Sequence, residues 1–232
     1  MKKLAFFVEG QTELLFIKKL LLEVAGTKNI VIDSQKFIGN VGKKATYLIT
    51  ASSKVSTEEY YVLITDCTGD TRVQSAVIDH YPTLVKQGYS MILGLRDLYP
   101  NDFKDLEKVK QGLKYRVPTK PIQPEILLSV MEVEAWFLAE HTHFSKIDVG
   151  LTLASIKANF GVQLDKDDLE KINKPADLLH QIYATVGKAY TKKVKNSSRT
   201  VNALDYNDLY ISLNSKVVHL GYLIEQVNKF LA

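Results

Sequence analysis

Short, unbroken apolar runs alternate with segments of helical spacing along the first part of the chain. The runs are rich in β-branched and aromatic residues and end at polar residues or glycine, which is typical of buried strands. Strands are predicted at 3–8, 29–37, 60–65, 90–95 and 126–130. Helices are predicted at 11–25, with Thr12 as the N-cap, and at 44–53, 73–86, 103–117 and 132–140. This alternation predicts an α/β fold with a mainly parallel sheet flanked by helices.

The pattern changes after residue 140, where apolar residues keep only helical spacing. Helices are predicted at 151–159, 167–188 and 207–231, with polar loops between them. We therefore expect two parts: an α/β core over residues 1–140, and a helical cap or subdomain over residues 141–232 that packs on this core.

Composition narrows the class of protein. The chain has 232 residues, 46% hydrophobic and 24% charged, as in an ordinary globular protein. Cys67 is the single cysteine, so an intrachain disulfide is excluded and a cytoplasmic location is expected. No stretch approaches the roughly 20 apolar residues of a membrane span, so no membrane partner is expected. The net charge of +4 is compatible with a polyanionic partner but is weak support for one.

Acidic residues follow four of the predicted strands. Glu9 follows the first, Asp66 and Asp70 follow the run at 60–65, Asp97 follows the next, and the last strand is followed by Glu132 and Glu134. In an open α/β sheet, ligands bind beyond the carboxyl ends of the strands. Carboxylates held close together repel one another, and a bound Mg²⁺ or Mn²⁺ relieves that repulsion and polarises a phosphoryl group. The sequence thus predicts a divalent-metal site for phosphoryl chemistry.

Helix capping explains any one of these acids equally well, because Asp after a strand is a common N-cap and gains from the helix dipole. The coincidence across four strands favours the metal site. Glu9 is in addition a poor N-cap type, and Gly10 after it allows close approach of the backbone to a ligand.

The segment Val8-Glu9-Gly10-Gln11-Thr12-Glu13 resembles the TOPRIM superfamily, and within it the bacterial TOPRIM-like proteins found beside AAA-type ATPases. Asp66 to Asp70 and the segment Glu132-Val133-Glu134-Ala135-Trp136 resemble its later motifs. The resemblance covers residues 1–140 and implies a Rossmann-like core with Mg²⁺-dependent chemistry on nucleic acid. It implies Glu9 as a general acid/base or metal ligand and Asp66 as the first metal-binding aspartate.

One departure from the TOPRIM pattern concerns the second metal-binding aspartate, because the superfamily usually has Asp-x-Asp and Thr68 stands two residues after Asp66. Asp70 or Glu134 then completes the site, or the protein binds metal weakly and is catalytically degenerate. Of the pair Glu132 and Glu134, we expect only one to reach the metal and favour Glu134, since residues two apart diverge on a helix. Glu9, Asp66, Asp70 and Glu134 are thus the predicted metal and catalytic residues.

Four basic residues are candidates for contact with substrate phosphate. Arg72 and Arg96 lie near the acids in sequence, and they either neutralise phosphate or pair with Asp70 and Asp97. Lys192 and Lys193 belong to a basic run at 188–199 that suits a phosphate backbone or, equally, forms a solvated loop. The isolated pair His141 and His143 is expected at the surface. Cys67 is interpreted as a small residue at the end of a strand.

Three functions follow from these predictions. The first is a Mg²⁺-dependent nuclease of the kind found in bacterial phage-defence systems, with nucleic acid as partner. The second is a non-catalytic TOPRIM-like partner or regulator of an AAA-type ATPase, which the altered aspartate spacing favours. The third is a small-molecule phosphohydrolase that uses the same acidic edge. Each is compatible with an oligomer.

Overall fold

A computed structural model describes residues 1–38, 46–51, 59–69 and 71–232. The chain divides into two compact units. Unit 1 comprises Met1–Arg96, Lys108–Leu128 and Gln226–Ala232. Unit 2 comprises Asp97–Glu107 and Ser129–Glu225. The predicted division at residue 140 thus differs from the observed one, in which unit 2 takes up the chain from Ser129 and Gln226–Ala232 belongs to unit 1.

Six strands form one sheet in the order β3-β2-β4-β1-β5-β6. They are β1 (Lys2–Val8), β2 (Ile30–Ile38), β3 (Thr46–Ala51), β4 (Tyr60–Asp66), β5 (Met91–Asp97) and β6 (Glu125–Ser129). The pairs β1–β4, β1–β5 and β2–β4 are parallel, whereas β3 pairs antiparallel with β2 at one edge. The predicted α/β class with a mainly parallel sheet is confirmed.

Ten α-helices accompany the sheet in the described part of the chain. They are α1 (Gln11–Ala25), α2 (Arg72–Lys86), α3 (Leu106–Gly112), α4 (Glu134–Ala139), α5 (His143–Ile147), α6 (Leu153–Phe160), α7 (Pro175–Ala184), α8 (Val194–Ala203), α9 (Tyr206–Asp208) and α10 (Val218–Leu231). Turns of 3₁₀-helix cover Phe103–Asp105 and Leu169–Lys171, and a π-helix covers Leu209–Leu213. No helix within the described ranges is long and apolar enough to cross a membrane.

The core of unit 1 follows from the alternation of side chains along β1. Ala5 and Phe7 are buried in one cluster with Val73, Ala76 and Val77 of α2. Successive strand residues point to opposite faces of a sheet, so Leu4, Phe6 and Val8 cover the other face. These three side chains are fully buried, as are residues of α1 at helical spacing, namely Phe16, Ile17, Leu20 and Leu21. Burying both faces of β1 explains why its sequence is an unbroken apolar run.

The strand order places a topological switch point between β1 and β4. From β1 the chain leads through α1 to β2, on one side of β1, and β4 then inserts between β2 and β1. From β4 the chain leads through α2 to β5, on the opposite side of β1. The connections after two neighbouring strands therefore leave in opposite directions, which opens a crevice at their carboxyl ends where ligands of α/β proteins bind.

Three predictions about unit 1 and its neighbouring segment are wrong in detail. The predicted helix 44–53 is strand β3 where it is described, because the run Thr-Tyr-Leu-Ile-Thr favours a strand once β2 offers an antiparallel partner. The predicted helix 103–117 ends at Gly112, where the side-chain amide of Gln74 donates to the carbonyl of Gly112 at 3.0 Å. The N-cap of α1 is Gly10 and not Thr12, which lies buried inside the helix.

In unit 2, one predicted helix is interrupted by a residue with left-handed backbone and a proline. The predicted helix 167–188 is a 3₁₀ turn followed by α7, because Lys174 has φ +67° and Pro175 begins a new helix. The basic run at 188–199 is a loop only up to Lys193, the N-cap of α8.

Candidate metal centre and acidic cluster

Glu9 and Asp66 lie at the carboxyl ends of the two strands that form the switch point. In the parallel pair β1–β4, Val8 stands opposite Asp66, and Glu9 is the next residue of its chain. The N–H of Cys67 donates to the carbonyl of Val8 at 2.9 Å, and the N–H of Gly69 donates to that of Glu9 at 3.0 Å. These bonds tie the two loops together. The side chains of Glu9 and Asp66, both predicted metal ligands, thus start from neighbouring stretches of backbone, and the two residues are only 7% and 1% exposed.

The carboxylate of Asp66 is buried, and its hydrogen-bonding and charged partners offset only part of the cost of burying its charge. The backbone N–H of Thr68 donates to its Oδ1 at 2.8 Å, and the ammonium Nζ of Lys36 lies 3.8 Å from its Oδ2. Burial raises the pKa of Asp66 above its usual range, although the Thr68 bond and Lys36 both act to lower it. Because the ionised form is disfavoured here, a further cation at this carboxylate would be stabilising.

Arg96 accompanies Glu9. Its Nε lies 3.8 Å from Oε1 of Glu9, and its side chain is mostly buried. The sequence offered Arg96 as a phosphate ligand or as a partner of Asp97, and the structure places it beside Glu9. A guanidinium at this position sets a positive charge at the carboxyl end of β5, next to β1.

The loop after β4 takes a conformation that few residues adopt. Thr68, where the TOPRIM pattern has its second aspartate, has φ +54°, a region sparsely populated for a β-branched residue. Its hydroxyl lies 3.5 Å from Nη1 of Arg72, whose guanidinium stacks 4.7 Å from the ring centroid of Phe37. Asp70, the predicted alternative ligand, lies outside the described residues. Residues held in sparsely populated backbone regions cluster at functional sites.

Cys67 behaves as a buried strand-end residue, as predicted. Burial, together with the charges of Asp66 and then Glu9, raises the pKa of its thiol to about 12. A thiol with so high a pKa is a poor nucleophile at neutral pH. The influence of both carboxylates on one thiol agrees with their position at adjacent strand ends.

Glu13 is a buried acid that the site prediction omitted. It lies in the first turn of α1, is 3% exposed, and its Oε2 is 3.3 Å from where a side chain at Gly10 would begin. Gly10 therefore leaves the space that this carboxylate fills. The signal was present in the motif that carries the resemblance, where Glu13 follows Glu9 by four residues, about one helical turn.

In unit 2, three acidic side chains lie around Lys192. The ammonium Nζ of Lys192 lies 2.9 Å from Oε1 of Glu132, 3.7 Å from Oδ2 of Asp97 and 3.9 Å from Oε2 of Glu134. Glu132 and Glu134 therefore both reach one point, contrary to the expectation that helical geometry separates them. The reason is that Glu132 precedes α4, and Met131 before it has φ +60°, so the pair does not lie on one continuous helix.

Neutral donors complete the cluster. The hydroxyl of Tyr190 donates to Oε1 of Glu134 at 2.6 Å, and the hydroxyl of Ser129 donates to Oδ1 of Asp97. The N–H of Ala176 donates to Oε2 of Glu132 at 3.0 Å. Ala176 is the second residue of α7, so Glu132, although far from this helix in sequence, caps its N-terminus.

The predicted residues thus fall into two groups: Glu9, Asp66, Arg72 and Arg96 belong to unit 1, while Glu134, Lys192 and Lys193 belong to unit 2. Lys193 is exposed at the start of α8. Among the residues that the structure describes, no set of three or more His, Cys, Asp or Glu is arranged to hold a metal ion. Mg²⁺ in proteins commonly sits on one or two carboxylates and shares its other positions with water and phosphate, and the buried oxygens of Glu9 and Asp66 fit that donor set.

The histidine prediction is wrong for His143, which is fully buried. Its Nδ1 contacts the carbonyl oxygen of Glu140, and its Nε2 lies 3.1 Å from the hydroxyl of Tyr183. His143 serves packing in unit 2.

No protein-family model matches the chain, and no curated protein matches it. Among solved structures, the chain is similar to the crystal structure of a hypothetical protein from Pyrococcus horikoshii OT3, at 16% sequence identity and a TM-score of 0.48. The similarity covers 98% of this chain and 100% of that chain. A likeness of this degree carries no argument about the site.

Proposed function

We propose that this protein is a Mg²⁺-dependent enzyme acting on phosphodiester bonds, a nuclease in the first instance. The observation that carries the proposal is the juxtaposition of Glu9 and Asp66 at the carboxyl ends of adjacent parallel strands. That place is where ligands bind in open α/β sheets, and the two groups there are buried hard oxygen donors.

Each residue of this group has a role that its position suits. Asp66 holds the cation, since the pKa of its carboxyl is raised by burial and ionisation gains from a positive neighbour. Glu9 holds the cation or moves a proton, and Arg96 beside it orients the substrate phosphate. A bound Mg²⁺ supplies charge stabilisation at the phosphoryl oxygens. Arg72, the first residue of α2, is a second candidate for phosphate contact.

In unit 2, Glu134 is the predicted ligand for the cation, and Asp97 and Glu132 share its contact with Lys192. Oxygen donors of this kind suit Mg²⁺ or Mn²⁺ and not a soft metal. The TOPRIM resemblance supports nucleic acid as the substrate class, and the exposed Lys193 suits contact with its backbone.

The test is metal-dependent cleavage of labelled DNA and RNA by wild-type protein and by Glu9→Gln and Asp66→Asn. Each change keeps shape and removes charge, and we expect a loss of about 100-fold or more in rate with an unchanged circular dichroism spectrum. Glu23→Gln and Asp79→Asn, at exposed positions of α1 and α2, are the matched controls and should keep full activity. Cleavage that survives both site changes would remove the proposal.

The non-catalytic partner of an ATPase is the second candidate, and Thr68 favours it. The backbone of Thr68 already donates to Asp66, and its hydroxyl faces Arg72, so a neutral group stands where TOPRIM proteins have an acid. Titration with Mn²⁺ by calorimetry separates the two functions. An enzyme should bind Mn²⁺ in a manner that Asp66→Asn weakens, whereas a degenerate module should show no dependence on this carboxylate. Cleavage of a generic phosphoester that oligonucleotides do not inhibit would instead indicate a small-molecule phosphohydrolase.

A further inference from the structure

The side chain of Arg72 contacts residues at the carboxyl ends of two neighbouring strands of unit 1. Its guanidinium carbon lies 4.7 Å from the ring centroid of Phe37, near the end of β2. Its Nη1 lies 3.5 Å from the hydroxyl of Thr68, on the loop after β4. Phe37 follows Lys36, whose Cα partner in the pair β2–β4 is Asp66. The ring and the hydroxyl therefore hold the guanidinium beside the strand end that carries Asp66.

The charge of Arg72 acts at the same place as the charges of Glu9 and Asp66. Burial is the main cause that raises the pKa of the Cys67 thiol, the charges of Asp66 and Glu9 raise it as well, and the charge of Arg72 acts to lower it. All three charges are thus within electrostatic range of one buried thiol. A substrate phosphate that reaches a cation at Asp66 would therefore also meet the positive charge of Arg72.

The two guanidinium groups of this edge differ in their neighbours. Arg96 lies 3.8 Å from the carboxylate of Glu9, and its side chain is mostly buried. Within the described part of the chain, the guanidinium of Arg72 instead contacts uncharged groups, the Phe37 ring and the Thr68 hydroxyl. A guanidinium has five N–H donors in its plane, so a ring against its face leaves those donors to other acceptors. Arg72 thus suits the two parallel hydrogen bonds that a phosphate accepts.

We propose that Phe37 is a positioning residue, which holds the guanidinium of Arg72 in place to bind a backbone phosphate of a nucleic acid at the carboxyl end of β4. The inference rests on the proposed function for the class of substrate. It adds that the phosphate subsite is an aromatic–guanidinium pair, in which Phe37 acts through Arg72 alone. Holding a long side chain in place before the substrate arrives removes part of the entropy cost of binding.

Binding is measured apart from cleavage, with the full chain in chelator and a short fluorescent single-stranded DNA followed by anisotropy over a series of salt concentrations. Arg72→Met should weaken binding about tenfold, the factor expected for the loss of a charge-assisted hydrogen bond. It should also reduce the slope of log affinity against log salt by about one, because one phosphate contact is lost. Phe37→Leu keeps the charge and should weaken binding about fivefold, as expected for the loss of a cation–π contact.

A double-mutant cycle tests whether the ring acts through the guanidinium. On the Arg72→Met background, Phe37→Leu should cause no further loss of affinity, because the group that the ring positions is gone. Phe37→Tyr keeps the aromatic face and should bind DNA as wild type does. Lys3→Met is the matched control, since Lys3 lies 5.9 Å from the ring centroid of Tyr89 at the amino end of β1, the opposite edge of the sheet. Its affinity and salt slope should equal those of wild type.

A fivefold loss from Phe37→Leu on both backgrounds would overturn the inference and would mean that the ring contacts the nucleic acid directly. Wild-type affinity in Phe37→Leu, weak binding by Phe37→Tyr, or no binding of DNA by the wild-type protein would overturn it too. Should Phe37→Leu fail to fold, Phe37→Met takes its place in the same cycle.

None of these results depends on cleavage. The proposed function fails separately, if Glu9→Gln and Asp66→Asn leave cleavage intact. A wild-type protein without nuclease activity, in which Phe37 and Arg72 show the expected coupling, would keep the phosphate subsite and lose the enzyme.

Discussion

The two groups of buried acids satisfy their charge in different ways. In unit 2, Glu134 accepts a 2.6 Å hydrogen bond from Tyr190, and Glu132 has the ammonium of Lys192 at 2.9 Å. In unit 1, the backbone N–H of Thr68 donates to Asp66 at 2.8 Å, but the charged groups beside Glu9 and Asp66 stand at 3.8 Å, beyond hydrogen-bonding distance. Charge-assisted contacts weaken steeply over this range. The carboxylates of unit 2 are therefore held by short contacts from the chain itself, and burial raises the pKa of Asp66 in unit 1.

Buried acids in this chain therefore fall into two kinds. Where short donors meet the carboxylate, the acid stabilises the fold and its removal should be costly. Where the cost of burying the charge exceeds the gain from its hydrogen-bond donors, the ionised acid lowers stability, and such acids cluster at functional sites. Substitutions that keep shape and change only hydrogen bonding or charge separate the two cases.

The largest expected effect on stability is that of Tyr190→Phe in unit 2. The change removes the hydroxyl that donates to the fully buried carboxylate of Glu134, and it should lower the free energy of unfolding by about 1.5–3 kcal/mol. Urea unfolding followed by circular dichroism measures the loss. Tyr222→Phe, half-exposed on α10, is the matched control and should change stability by less than about 0.5 kcal/mol. Equal effects of the two changes would remove the distinction between the groups.

Asp66→Asn should stabilise the protein at neutral pH, in contrast to Tyr190→Phe. We expect a gain of up to about 1 kcal/mol in the free energy of unfolding. Because burial raises the pKa of Asp66 in the folded protein, the folded chain takes up a proton at a higher pH than the unfolded chain does. The ionised carboxylate thus lowers stability above its folded-state pKa, and this loss disappears as the pH falls through that pKa. The asparagine oxygen still accepts from Thr68.

Urea unfolding of wild type and Asp66→Asn over a pH series tests this sign. The difference between the two proteins should be largest at neutral pH and should shrink on acidification towards the ordinary range of an aspartate. A variant that is less stable than wild type at neutral pH, with a gap that closes in acid, would show instead that the ionised carboxylate stabilises unit 1.

The smallest effect is expected for Lys36→Met, which removes the ammonium 3.8 Å from Asp66. The Lys36 side chain is 46% exposed, and pairs of this kind contribute less than about 0.5 kcal/mol. The pKa of Asp66 should move further upward, since Lys36 acts to lower it. Titration of the Asp66 carboxyl by NMR, with urea unfolding beside it, measures both. A stability loss above about 1 kcal/mol would mean that Lys36 forms a close, stabilising ion pair with Asp66, as Lys192 does with Glu132 at 2.9 Å.

Much of unit 1 could be predicted from the sequence, because its signals are local. The run at 60–65 gave β4, and α1 was predicted with its observed bounds, since apolar spacing and a following glycine define such elements within a few residues. The same local pattern placed Glu9 and Asp66 at strand ends. Strand β3 was mistaken for a helix because its pairing with β2, and not its own pattern, decides its state.

The sequence predicts which residues form most of the buried strands and which acids follow them, since both depend on neighbours along the chain. Three features depend on the folded chain as a whole: β4 inserts beside β1, Glu13 is buried against Gly10, and Lys192 contacts acids 58 to 95 positions earlier in the chain. Coulombic and hydrogen-bonding contacts act across a few ångströms of space irrespective of separation along the chain. The order of strands, not their composition, brings these groups within that range.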